Sequence, residues 1–122
     1  MNSAVVSSHV PYLPIHLQIG DAPPTQIELD LDVLVDTGFD SGVSIPRQMI
    51  TTPLIPIGHH TFQLADASEI VARVYVGHVT IGDLQSIETL VITLGDEPLL
   101  GRRVIDHYKV TFDHGQQIIV EP

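Results

Sequence analysis

One acidic tripeptide in this chain of 122 residues sits where a carboxylate is costly. Val33-Leu34-Val35 runs apolar straight into Asp36-Thr37-Gly38. A charge at the end of a buried strand is unfavourable unless it is paired or serves as a working acid or base. Thr37 offers a short hydroxyl for a fixed hydrogen bond, and Gly38 lets the chain turn sharply and another backbone approach. Asp beside Gly is also common in ordinary strand-to-loop turns, so the triplet alone does not decide. A second signal follows about 60 residues later, in Pro98-Leu99-Leu100-Gly101-Arg102-Arg103-Val104-Ile105. By itself this is a common strand-to-helix junction. The two together, in this order and at this separation, carry the information.

Other reactive residue types form no comparable pattern. The seven histidines invite a metal site. His59 and His60 are adjacent, which on a strand points them to opposite faces. His16, His78, His107 and His114 are scattered, and no metal-ligand spacing appears. Ser41, Gly42 and Ser44 lack the context of a nucleophilic serine.

The elements that must position Asp36 have period two. Leu13, Ile15, Leu17 and Ile19 alternate with Pro14, His16 and Gln18; Ile27, Leu29, Leu31, Val33 and Val35 alternate with Glu28, Asp30 and Asp32. These predict two half-buried antiparallel strands, with the acids on the wet face, joined by a loop at Gly20-Asp21-Ala22-Pro23-Pro24. Strands are also predicted over 61–64 and 69–81, around a turn at Ala65-Asp66-Ala67-Ser68, and over 86–94. A last hairpin over 109–112 and 117–120 turns at Asp113-His114-Gly115-Gln116. The helical candidates are short: 102–108, and a single turn at 47–50 after Pro46. Many short strands with turns between them predict an all-β domain, a closed barrel or a sandwich.

The bulk numbers bound the function. A length of 122 residues with 43% apolar content predicts one folded domain, 1–122, in which residues 1–12 have no evident role. Five basic residues against 15 acidic ones give a net charge of −10, which repels nucleic-acid backbones. With no cysteine, disulfides, thiolate catalysis and Cys–zinc sites are excluded, and a cytoplasmic location is compatible. No apolar run approaches the roughly 18–20 residues that span a bilayer. The N-terminus has no basic start, and its longest apolar run is Ala4-Val5-Val6, so neither membrane insertion nor export is predicted.

With these residues in view, the chain resembles the retropepsin-type aspartic proteases. Leu34-Val35-Asp36-Thr37-Gly38 matches their catalytic loop, and Leu99-Leu100-Gly101-Arg102 matches their signature before a short C-terminal helix. Asp36-Thr37-Gly38-Phe39-Asp40 and Leu64-Ala65-Asp66 are similar to a prokaryotic branch with Phe after the Gly. The resemblance implies a closed β-barrel with a flap hairpin, here residues 62–76, and an endopeptidase that uses no cofactor and no metal. The reaction needs two carboxylates around one water: an ionised base and a protonated acid. Such a pair shares a proton, and this enzyme class is a standard illustration of that coupling. One Asp-Thr-Gly in so short a chain implies a homodimer that supplies Asp36 twice about a two-fold axis.

The resemblance also implies individual roles. Asp36 is the catalytic carboxylate. Thr37 braces the loop across the axis, and Gly38 offers its carbonyl to the substrate backbone. Asp40 lies beside the substrate and pairs with Arg102. Ala65, Asp66 and Ala67 form the flap tip over an extended peptide or protein substrate. Ile118-Ile119-Val120 are candidates for strands interleaved between protomers. Phe39 departs from the Ala or Ser usual after the Gly; unlike Ser, it cannot donate a hydrogen bond to the carboxylate. The runner-up reading is a catalytically weak or inactive peptide-binding or dimerisation module on the same fold, which tolerates Asp36→Asn where an enzyme does not. A small-ligand barrel leaves the acidic triplet unexplained.

Overall fold

The computed structural model describes residues 4–20 and 25–122. The strands are β1 (Val5–Ser7), β2 (Tyr12–Ile19), β3 (Ile27–Val35), β4 (Val43–Ile45), β5 (Gly58–Gln63), β6 (Glu69–Thr80), β7 (Ile87–Thr93), β8 (Leu99–Leu100), β9 (Lys109–Asp113) and β10 (Gln117–Glu121). A single 3₁₀ turn, Arg47–Met49, follows Pro46, and one helix, α1 (Arg102–Ile105), lies between β8 and β9. The all-β expectation holds. Of the loop predicted between β2 and β3, residues 21–24 lie outside the described part. Among the described residues, no helix is long and apolar enough to cross a membrane.

Six strands close a barrel in the order β2-β3-β8-β4-β7-β6, and β6 returns to β2. The alternation read in β2 is realised: Leu13, Ile15, Leu17 and Ile19 are at most 4% exposed and fill the barrel. Each such side chain contributes on the order of 1.5–3 kcal/mol by leaving water. In β3, Ile27, Val33 and Val35 are buried, whereas Leu29 and Leu31 pack half-buried at the rim of the core. The last turn of α1 tightens, since His107 and Tyr108 donate to carbonyls three residues back, and the helix stops short of the predicted 102–108.

β6 has 12 residues and does two jobs. Residues 77–80 close onto β2, while residues 69–74 leave the barrel and pair with β5. The resulting hairpin projects, with every residue from 63 to 71 exposed. A separate three-stranded sheet has the order β1-β10-β9. Ile118 and Val120 of β10 are fully buried against the barrel. Within the single chain, residues 118–120, the candidates for interleaving, pair on both sides with strands of the same chain. The N-terminal segment, for which the sequence suggested no role, forms β1 and takes the second edge of β10 within the same chain.

Candidate active site

The path of the chain at Asp36 follows from the strand order. β8 lies between β3 and β4, parallel to the first and antiparallel to the second. The chain leaving β3 must therefore cross the C-terminal end of β8 to reach β4, and residues 36–42 make that crossing. Backbone bonds pin it. The Asp36 N–H donates to the Leu100 carbonyl at 3.0 Å, and the Gly101 N–H donates to the Gly42 carbonyl at 2.7 Å. The first free amides of α1 are used as well: Arg102 N–H donates to Phe39 O at 2.8 Å and Arg103 N–H to Ser41 O at 3.2 Å. The helix is thus capped by the crossing loop, with no side-chain cap.

Two glycines make the crossing possible. A Cβ on Gly101 would overlap Ser41 O and lie 2.7 Å from Phe39 Cδ2. A Cβ on Gly42 would overlap the Thr89 hydroxyl and lie 2.5 Å from Leu90 O. Neither glycine has a positive φ, so close approach rather than conformational freedom is what requires them. The aromatic ring of Phe39 lies where it touches Gly101, which gives that residue a packing role in place of the hydrogen bond a Ser would make.

Asp36 is half-buried, and Thr37 and Gly38 are exposed beside it. The Gly38 N–H donates to Asp36 Oδ1 at 2.9 Å, and the Phe39 N–H donates to the Asp36 carbonyl at 3.2 Å. The first bond engages one carboxylate oxygen of Asp36, and the second turns the main chain there. Among the described residues, neither the Thr37 hydroxyl nor the Asp40 carboxylate has a partner within the chain. Asp40 and Arg102 line one shallow cleft with Arg103, Asp106 and His107. The expected Asp40–Arg102 pair does not form in the single chain. Arg102 donates instead to Asp106 Oδ2 at 3.3 Å, because an i,i+4 spacing on α1 puts the two side chains on one helix face.

Ala65, Asp66 and Ala67 lie at the tip of the β5–β6 hairpin, and no hydrogen bond or ion pair among the described residues joins them to residues 36–40. The tip holds itself. Asp66 Oδ1 accepts from the Ser68 amide at 3.0 Å and from the Ser68 hydroxyl at 2.5 Å. The Ser68 hydroxyl, foremost, and then its amide hold the Asp66 carboxyl below its ordinary range. Ala67 takes φ +69°, a conformation usually given to Gly. The sequence signal for this clamp, Asp followed two residues later by Ser, was present and went unread. No such signal marks the clearance at Gly42 and Gly101, which depends on contacts distant in sequence.

No family model matches the sequence, and no curated protein matches it. Among solved structures, the chain is similar to a retropepsin-like aspartic protease from Rickettsia conorii, with a TM-score of 0.69 and 17% identity. The superposition covers 99% of this chain and 92% of that one. The fold is retropepsin-like. Near-complete coverage in both directions means that the barrel, the projecting hairpin and the terminal sheet are matched together, not one motif alone.

Proposed function

We propose that this chain is half of an aspartic endopeptidase, and that two copies bring two Asp36 carboxylates around one water. The observation that carries the reading is Asp36-Thr37-Gly38 held at the end of β3 by the β8 crossing, within a retropepsin-like fold. One carboxylate, ionised, takes the water's proton as the oxygen attacks the scissile carbonyl. The other, protonated, donates to the carbonyl oxygen. Apparent pKa values belong to the pair and not to either residue.

In this reading the unpartnered Thr37 hydroxyl is free to bond across the axis. The exposed Gly38 carbonyl meets the substrate main chain, and Asp40 flanks it, with Arg102 beside it across the cleft. Ala65, Asp66 and Ala67 close over an extended peptide that adds as a strand, so that main-chain bonds give affinity and alternate side chains give selectivity.

The test is cleavage of a diverse peptide library by the wild-type chain and by Asp36→Asn, from about pH 4 to pH 7, a window that spans perturbed carboxylates. Cleavage abolished by Asp36→Asn supports the dyad. Equal cleavage by both overturns it. No cleavage by either, from a folded dimer, favours a module that holds peptides intact.

A further inference from the structure

At the base of the projecting hairpin, two oddities meet in one cleft of about 250 Å³. Its walls come from three parts of the chain. Gly20 and Thr25 flank the β2–β3 loop, Leu54, Ile55 and Ile57 lie on the segment entering β5, and Tyr75 stands where β6 leaves the barrel. Main-chain bonds set these walls. The Ile57 N–H donates to Val74 O at 2.8 Å, and the Gly20 N–H donates to Val76 O at 3.2 Å. Gly20 takes φ +92°, and a Cβ there would overlap Thr25 O, so a glycine is what lets the two approach. A cleft built from the protein's own main-chain bonds lowers the cost of binding.

The first oddity is Tyr75. Its side chain is 3% exposed, and its hydroxyl has no partner among the described residues. A buried polar atom left unpaired is uncommon and unfavourable, and on a residue that lines a cleft it marks a bond that a ligand can supply. The second is the rim. Ile55 is 92% exposed and Ile57 64% exposed, the highest values among the large apolar side chains described. Single exposed apolar side chains are ordinary, but two beside one cleft, with Leu54 between them and the core, make a patch that a ligand would cover.

We propose that this cleft binds a small uncharged molecule with an aliphatic body and one amide-like head, the body against Leu54, Ile55 and Ile57 and the head on the Tyr75 hydroxyl. Charge selects the class. The chain carries a net charge of −10, yet among the described residues no charged side chain lines the cleft, so an ionic ligand loses hydration there and meets no counter-charge. Volume selects the size. The space equals that of about eight waters and falls just under the roughly 300–1,000 Å³ of sites for drug-sized ligands. A protein partner is too large for it, since a stable interface takes about 20–30 residues a side. The hydroxyl selects the head, because it both donates and accepts, and an amide offers a carbonyl and an N–H. None of residues 36–40, 65–67 or Arg102 lines the cleft, so this site is separate from the one proposed for cleavage.

The experiment is a titration of the full chain, followed through its backbone amide resonances, with hexanamide as the probe. Hexanoate and hexylammonium, of the same aliphatic length with a charged head, are the controls. Hexanamide should shift the amides of Leu54, Ile55, Ile57 and Tyr75 saturably, with a Kd on the order of 1 mM for a ligand of so few atoms. Both charged probes should bind at least about tenfold more weakly. Tyr75→Phe should weaken hexanamide about fivefold, by the loss of one hydrogen bond, without lowering the urea midpoint. Ile57→Ser, at an exposed position, should keep the fold and weaken hexanamide about threefold by removing apolar wall. Asp36→Asn should bind as wild type does. No saturable shift at these residues up to about 20 mM, equal binding of all three probes, or an affinity that Tyr75→Phe leaves unchanged overturns the site and leaves the two-carboxylate reading standing.

Discussion

Replacing Gly101 by Ala adds one methyl group at the point where α1, β8 and the crossing that carries Asp36 meet. The backbone there has φ −99° and ψ 178°, which any residue adopts, so strain in the main chain is not the issue. The issue is space. The new Cβ overlaps Ser41 O and approaches Phe39 O to 2.9 Å, and both oxygens are committed as acceptors from Arg103 and Arg102. Relief requires the loop to move off the helix, which breaks or lengthens two bonds worth about 1 kcal/mol each. Overpacking adds on the order of 1–3 kcal/mol. A loss of about 3 kcal/mol is therefore expected, a large part of the roughly 5–15 kcal/mol that holds a domain folded. Equilibrium urea unfolding reads it as a fall in midpoint of about 1.5 M at a slope near 2 kcal/mol/M. Gly58→Ala is the control. Nothing lies within 4 Å of its added Cβ, and a change within about 0.5 kcal/mol is expected. A Gly101→Ala midpoint within about 0.3 M of wild type would refute the claim that this clearance holds the Asp36 loop.

Two further outcomes are expected. Tyr75 is 3% exposed within the core, and its hydroxyl has no partner among the described residues, so Tyr75→Phe should leave the urea midpoint unchanged or raise it by the equivalent of about 1 kcal/mol; a loss above about 1 kcal/mol would mean the hydroxyl is satisfied after all. His16 meets Asp30 through Nδ1 at 2.9 Å and Glu28 through Nε2 at 3.3 Å, and those acceptors, Asp30 first, raise its pKa. A raised folded-state pKa means the clip between β2 and β3 is fully present below the ordinary value of 6.5 and is lost as pH rises through the folded value. His16→Gln should therefore destabilise more at pH 5.5 than at pH 8.5, both chosen to bracket ordinary imidazole titration at about 6.5; an equal loss at both would exclude the linkage.

Much of this was legible because the barrel is built from local alternation. The ends of β3 are legible, since Ile27 through Val33 alternate, Val33-Leu34-Val35 continues apolar, and the run stops at the charge of Asp36. The hairpins around 65–68 and 113–116 were legible from turn residues, and His114 and Gly115 do take positive φ there. β1 was not legible. A strand of 3 residues, Val5–Ser7, has too little pattern to stand out, and it exists because β10 offers an edge more than 110 residues away in sequence. The Arg102–Asp106 pair was missed for the opposite reason: the helix face offered a nearer acid than the resemblance suggested.

The two halves of the proposed site are held in unlike ways, and the difference follows from topology. Asp36 sits where three strands and a helix converge, and each neighbour of the crossing is itself anchored in the barrel. A carboxylate that must meet its mate at hydrogen-bond distance needs that rigidity, because a misplacement of about 1 Å can cost on the order of a hundredfold in rate. The β5–β6 tip has the reverse character. Its bonds run from Leu64 to Ser68 and from Asp66 to Ser68, all within the turn, so the tip keeps its own shape without being tied to the barrel. Local stability is low where few buried apolar contacts exist, and residues 63–71 have none. A glycine-rich tip would flex internally. This one is clamped by Asp66 and Ser68, and its base, residues 74–79 of β6, is anchored by pairing with β7.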